Sequence, residues 1–226
     1  VLEPPALVEV LAAAGIAREA RAAVAAHEAE APLLAELLGL VDDGALARVE
    51  ATLARALDPR GGLLDTASPE LAAVRRRLAA ARREAIEQLR RLAGSLRSHL
   101  QEAFTTERAG RPVLAVKASS RSAVPGIVHD SSGSGQTLFI EPMPVVEANN
   151  RVRELAAQEA EEEERILREL SRLVGEERAA LDGAVEALAA LDLALAAAAL
   201  ARAWDAVPVE PAEEVELAGA RHPLLD

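Results

Sequence analysis

The sequence has no cysteine and no tyrosine, and only two phenylalanines and one tryptophan among its 226 residues. Without cysteine there is neither a disulfide framework nor a thiolate metal site. With so few rings, leucine, valine and alanine must fill the core, which favours helix packing over a β-sandwich. A base-stacking platform for single-stranded nucleic acid is equally excluded. Lysine is nearly absent: Lys117 is the only one, and every other strong base is arginine. Neither a signal peptide nor an uncharged apolar run long enough to span a bilayer is found. The expectation is therefore a cytoplasmic protein with no membrane partner. The chain opens on Val1 rather than methionine, which suggests a piece of a longer protein. A formal charge of -12 disfavours uniform attraction to nucleic acid or anionic lipid.

What is present is mostly helical pattern. Residues 1–57 read as four short helices, with Gly15 as a stop for the first and Gly39 for a later one. "DPRGGLLD" has the chemistry of a tight turn or hairpin. In "ASPELAAVRRRL", Ser68 is placed to cap a helix, Pro69 suits its first position and Glu70 its positive end. Apolar or alanine residues then recur at Leu71, Val74, Leu78, Ala81, Ala85, Leu89, Leu92, Leu96 and Leu100, three or four apart. This predicts one helix to about Arg108, roughly 57 Å long, which suggests an arm. "PVLAVKA", "PGIVHD" and "QTLFIEP" are β-like. A second long helix is expected from about Val145 to Gly183, and "ALAALDLALAAAALARAW" is apolar on nearly every face, as a core helix would be.

The predicted fold class is mainly α: a helical core, a long antiparallel helical arm and a small antiparallel β tip. The boundaries are 1–70 for core helices, 71–110 for the helix running out, 111–144 for the tip, 145–186 for the helix running back, 187–206 for a core helix, and 207–226 for the start of a following domain. The stretch 71–108 carries nine Arg and four Glu, and 147–178 carries six Arg and ten Glu. Opposite charge favours pairing of the two in one register. With the turn centred on the tip, facing residues sum to about 254. Arg82 then lies near Arg172, and Arg91 opposite Glu162 and Glu163. Arg75, Arg76, Arg82 and Arg83 fall near the later part of the returning helix.

No run of residues argues for an active site. "SSGSGQT" lacks the phosphate-loop lysine, since Gln136 stands in its place, and a strand rather than a helix follows. His129, Asp130 and Glu141 could approach one another if their strands pair, but adjacent strand residues point to opposite faces. His27, His99 and His222 are isolated. The run Glu161 to Glu164 points around a helix rather than at one centre, and no nucleophile elbow is present. No catalytic, cofactor-binding or metal-binding residue is assigned. The candidate nucleic-acid contacts are Arg111, Lys117 and Arg121, acting on phosphates in a salt-sensitive way.

"GIVHDSSGSGQTLFIEPMPVVEANNRVREL" closely resembles the signature of the bacterial MutS-II family, relatives of MutS that lack the mismatch-reading domain. "LLDTASPELAAVRRRL" resembles that family's run into a long helix. "ALAALDLALAAAALARAWDAVPVE" and "GARHPLL" are similar to the approach to, and start of, a MutS ATPase domain. The match runs from about Asp58 to the end. The resemblance implies that the arm is a lever and the tip a clamp-like element. ATP and magnesium would belong to an ATPase domain beyond Asp226, with a Smr nuclease domain further on, so this stretch itself would have no enzymatic activity. It implies a homodimer in the full-length protein. The partner would be branched or duplex DNA, in suppression of homologous recombination, or a collided ribosome, in ATP-driven splitting. A structural coiled-coil spacer is the reading outside the family.

Overall fold

The computed structural model describes residues 1–108 and 110–207. The expected start of a further domain at 207–226 therefore lies, from residue 208 on, outside the described residues. The chain divides into two compact units. The first comprises residues 1–4 and 55–170, and the second residues 5–54 with the chain from Ser171 onward.

The second unit is helical. Helix α1 covers Pro4–Ala25, α2 covers Pro32–Gly39 and α3 covers Asp43–Ala56. Gly15 does not end α1, contrary to expectation. It lies inside one helix, where an added Cβ would meet the Glu50 carboxylate at 3.7 Å. The helix instead ends past Ala25, where the chain turns through 26–31. Asp42 caps α3, its Oδ1 accepting from the Ala45 amide at 2.9 Å. The α3 core positions Ala45, Leu46, Val49 and Leu53 are buried at helical spacing. Arg18 of α1 donates to Asp43 at 3.0 Å and to Glu50 at 2.5 Å on α3.

Helix α5 covers Met143–Glu176 and α6 covers Arg178–Trp204. The break falls at Glu177 rather than near Gly183 or residue 186, so 178–204 is a single helix. Glu177, at the break, accepts from Arg48 Nη2 of α3 at 2.8 Å. The expected burial of α6 is also corrected. Among the described residues only Ala184, Ala187 and Leu191 of α6 are buried, and Leu193 is 71% exposed. By length and apolarity alone α6 could cross a bilayer, although Asp182, Glu186, Asp192 and Arg202 interrupt it.

The first unit is built from two helices and a sheet. Asp58 closes the turn before it, its Oδ1 accepting from the Arg60 and Gly62 amides, and Leu57 bridges Leu63 across the turn. Helix α4 covers Pro69–Ser95. Its cap is as expected: the Leu71 amide donates to Ser68 Oγ at 2.9 Å, with Pro69 in the first turn. The end is not. The chain leaves the helix at Ser95 and residues 100–108 form strand β1. The predicted helix to Arg108, and a β tip beginning only at 111, are thus corrected. Thr105 and Thr106 are β-branched and suit a strand, and Arg108 pairs with Arg111 of the next strand, with Gly110 at φ +73°.

Strands β2 (Arg111–Lys117), β3 (Gly126–Ser131) and β4 (Thr137–Pro142) complete an antiparallel sheet of order β1-β2-β4-β3. Segment 118–125 passes β4 to bring β3 to its far side. "SSGSG" is the β3–β4 hairpin loop, with Gly135 at φ +69° and its amide bonded to Ser132 O. Leu114, Val116, Leu138 and Ile140 alternate along β2 and β4, as one sheet face requires. They pack with Leu89, Leu92 and Ala93 of α4, Leu96 just past its end, and Val145 of α5. This cluster fixes the end of α4 and the start of α5 to one end of the sheet.

Helices α4 and α5 lie side by side in opposite directions. Arg75 near the start of α4 reaches Glu159 at 3.0 Å and Glu163 at 2.8 Å, and Ser68 Oγ donates to Glu162 at 2.6 Å. The pairing is therefore about 16 to 24 residues out of the predicted register: Arg75 sums to 238 with Glu163 and to 234 with Glu159, and Ser68 to 230 with Glu162, not 254. The cause is the early end of α4, since Ser95 and Met143 also sum to 238. The acidic run meets Arg75, not Arg90 or Arg91, and among the described residues Arg91 pairs only with Glu87, at 4.0 Å.

Candidate nucleic-acid interface

The sheet separates the three predicted contacts. Arg111 and Lys117 stand at opposite ends of β2, roughly 20 Å apart at about 3.3 Å per residue. Arg111 is engaged within the protein: its Nη1 donates to Glu141 Oε1 at 2.6 Å and its Nη2 to Asn150 Oδ1 at 2.8 Å. Its side chain is only 12% exposed. Lys117 donates from Nζ to Ser98 O at 3.1 Å. Arg121 lies in a 3-10 turn at Ala118–Ala123 and donates to Val124 O and Gly126 O. It is exposed, whereas Lys117 is half-buried.

Glu141 is the polar centre of this end of the sheet. It is fully buried, and a bare carboxylate there would be strongly disfavoured. Three nitrogen contacts prevent that outcome. Arg111 and Asn149 Nδ2 donate to its Oε1, the latter at 2.8 Å, and His129 Nε2 lies 2.6 Å from Oε2. Arg111 supplies the compensating charge. Burial pushes the Glu141 carboxyl up, but the hydrogen bonds from His129, Asn149 and Arg111 outweigh it and leave it below the usual glutamate value. His129 reaches this position because β3 shifts register between Val128 and Asp130. That bulge, invisible to strict alternation, brings His129 to Glu141. Asp130 instead pairs with Arg108 at 3.2 Å, and Arg108 stacks on Phe139 at 3.8 Å from the ring centre. Of the three residues weighed for metal binding, then, two meet, in a hydrogen-bonded pair. Among the described residues no group of three or more His, Asp or Glu is placed to hold a metal ion.

The charges of the two helices are arranged differently from the predicted cross-pairing. On α5 several acids are paired within the helix: Glu154 with Arg151, Glu162 and Glu169 with Arg165, Glu164 with Arg168, and Glu176 with Arg172. The hydrogen bonds from Arg165 and Ser68 lower the Glu162 carboxyl to about 2. On α4, Arg75 binds Asp65, Glu159 and Glu163 and also donates to Leu63 O at 2.8 Å. The desolvation of its partly buried side chain is outweighed by these carboxylates, and its pKa is raised. The remaining α4 arginines are exposed, and among the described residues only Arg91 of them has an acid within reach, Glu87 at 4.0 Å. Sequence periodicity could have found that face, but the assumption of complementary arms hid it.

No family model matches the chain, yet individual proteins resemble it closely. It is 51% identical over 209 residues to an endonuclease MutS2 of Thermomicrobium roseum, which covers 86% of this chain and 26% of that protein. Similar matches are to the endonucleases MutS2 of Pelotomaculum thermopropionicum, 41% identical over 100% of the chain and 29% of the relative, and of Geobacillus thermodenitrificans, 42% over 100% and 30%. The chain thus spans between a quarter and a third of the length of these relatives.

Proposed function

We infer that this chain, a member of the MutS2 family by 40–51% identity over most of its length, supplies a non-catalytic core, lever and clamp-like region with which a longer protein clasps nucleic acid. The observation that carries this reading is the length of the match: relatives named as endonucleases align with the whole chain, from α1 through the sheet to α6. The α4–α5 pair would act as the lever and the sheet as the clamp-like tip. ATP, magnesium and nuclease chemistry would reside elsewhere in the longer protein, which would act as a homodimer. Branched DNA is the proposed target, in restraint of homologous recombination. At the tip, Lys117 and Arg121 are the groups available to a phosphate backbone, whereas Arg111 would act by holding Glu141.

Binding of the chain to four-way-junction DNA, linear duplex and purified ribosomes at two salt concentrations tests the reading. The expected result is weak binding with preference for the junction, falling steeply with salt. Preference for ribosomes over both DNAs would redirect the function to ribosome gripping. No binding to any of the three at low salt would overturn a direct nucleic-acid role for this region.

A further inference from the structure

Arg76, Arg83 and Arg90 recur every seven residues along α4. At about 100° per residue, seven residues return to nearly the same face, so the three form one row roughly 21 Å long at 1.5 Å per residue. All three are exposed. Among the described residues none of them makes an ion pair or hydrogen bond. This contrasts with other arginines of α4 and α5. Arg75, the immediate neighbour of Arg76, binds three carboxylates, and on α5 Arg151, Arg165, Arg168 and Arg172 each have a Glu three or four residues away. Buried Leu71, Leu78, Ala85 and Leu89 lie on the other side of α4, so the row is not needed to hold the helix in place. Arg77 and Arg91 flank it, also exposed. Glu87 lies within it but is shared with Arg91 at 4.0 Å, and Glu84 is occupied by Gln88.

We propose that the Arg76–Arg83–Arg90 face of α4 is a second nucleic-acid contact, separate from the tip, which binds the sugar-phosphate backbone of a duplex without reading its sequence. Arginine suits this task, because its planar fork meets two phosphate oxygens at once. The overall negative charge does not forbid it. At physiological salt, charges more than about 8 Å away are largely screened, and of the two acids on α4 beside the row Glu87 faces Arg91 and Glu84 holds Gln88. A duplex presents a phosphate about every 1.7 Å of axis, so 21 Å of it offers about a dozen. Three or more arginines would find partners without a fixed register. The row would align a duplex along the helix, while the tip meets it at one end. The proposal extends the clasping function but does not depend on which tip residues take part.

The test compares the 226-residue chain with Arg76→Gln/Arg83→Gln/Arg90→Gln and with Lys117→Gln/Arg121→Gln. The probes are a 25-base-pair DNA duplex and an RNA duplex of matching sequence, each titrated across salt. Among the described residues the three α4 arginines have no side-chain partner, so the far-UV circular dichroism of the first variant should match that of the parent. Its plot of log K against log salt should be shallower by about 2.7, which is 0.9 for each lost phosphate contact. The loss should be alike for unrelated sequences. Comparison of DNA with RNA identifies which backbone the row prefers. An unchanged slope in the α4 variant, whatever the tip variant does, overturns the proposal. So does failure of the parent to bind either duplex at low salt. If only the tip variant is silent, the row stands and the tip contact fails.

Discussion

Replacement of Glu141 by leucine removes the one acid that Arg111 faces inside the sheet. Arg111 is then left 12% exposed without a counter-charge, and Asn149 Nδ2 and His129 Nε2 each lose an acceptor. Breaking a buried charge pair from one side costs about 3–5 kcal/mol. At 1.4 kcal/mol per tenfold, local protection of the β2 and β4 amides against hydrogen exchange should fall by roughly two to three and a half orders of magnitude. Exchange is the right assay because the chain has two units and need not unfold in one step. The amides of α3 residues 45–53, in the other unit, serve as the control and should be unaffected. Glu141→Gln should be milder, by about 1.5–3 kcal/mol. Its amide oxygen can still accept from Arg111 and Asn149, and its NH2 can face His129 if that ring presents a bare nitrogen. Arg111→Met combined with Glu141→Leu should recover part of the loss, since no buried charge is then stranded. If Glu141→Leu leaves the β2 and β4 amides as protected as in the parent, the carboxylate is not the centre of the tip and the reasoning fails.

Arg75→Ala should destabilise the first unit by about 2 kcal/mol, less than its four bonds suggest because exposed pairs are individually weak. Arg75→Lys should not restore it, because a single ammonium cannot span Leu63 O, Asp65, Glu159 and Glu163 together; exchange of the α4 amides would report both. The depressed Glu162 carboxyl predicts acid sensitivity: its contribution is complete above its ordinary value near 4.5 and disappears as pH falls towards about 2. Glu162→Gln should flatten that part of a pH–stability curve, and an unchanged curve would count against the Arg165 and Ser68 contacts. Gly126→Ala should loosen β3 by about 1–3 kcal/mol, because the new methyl would lie 2.3 Å from Glu141 O and 2.7 Å from Ile140 Cγ2; wild-type exchange in β3 would refute this.

Much of the candidate interface was only half legible. Arg111, Lys117 and Arg121 are close in sequence, and charge alone grouped them. The seven-residue strand then put Arg111 and Lys117 at its two ends, and Glu141 drew Arg111 inward. The helix register failed for an equally concrete reason. Leu92, Leu96 and Leu100 continue the α4 stripe without a gap, so periodicity extends the helix past Ser95. The same leucines serve the sheet cluster, because a hydrophobic residue does not record which partner it will meet.

What the sequence alone determined is local. Ser68, Pro69 and Glu70 start α4 because they satisfy and complement the first turn of any helix that follows. Asp58 and Gly62 make their turn through contacts two and four residues apart, and "SSGSG" turns because Gly135 adopts a positive φ at no steric cost. These features need no distant partner. Tertiary structure alone decided the end of α4 at Ser95, where pairing of 100–108 with β2 satisfies backbone groups that a longer helix would have held. It also decided the bulge that delivers His129 to Glu141, the choice of Arg75 as the α5 contact, and the exposure of α6. Each of these depends on which surface is left to bury, or which charge is left unpaired, after other segments have packed. Such competition between distant segments has no local signature.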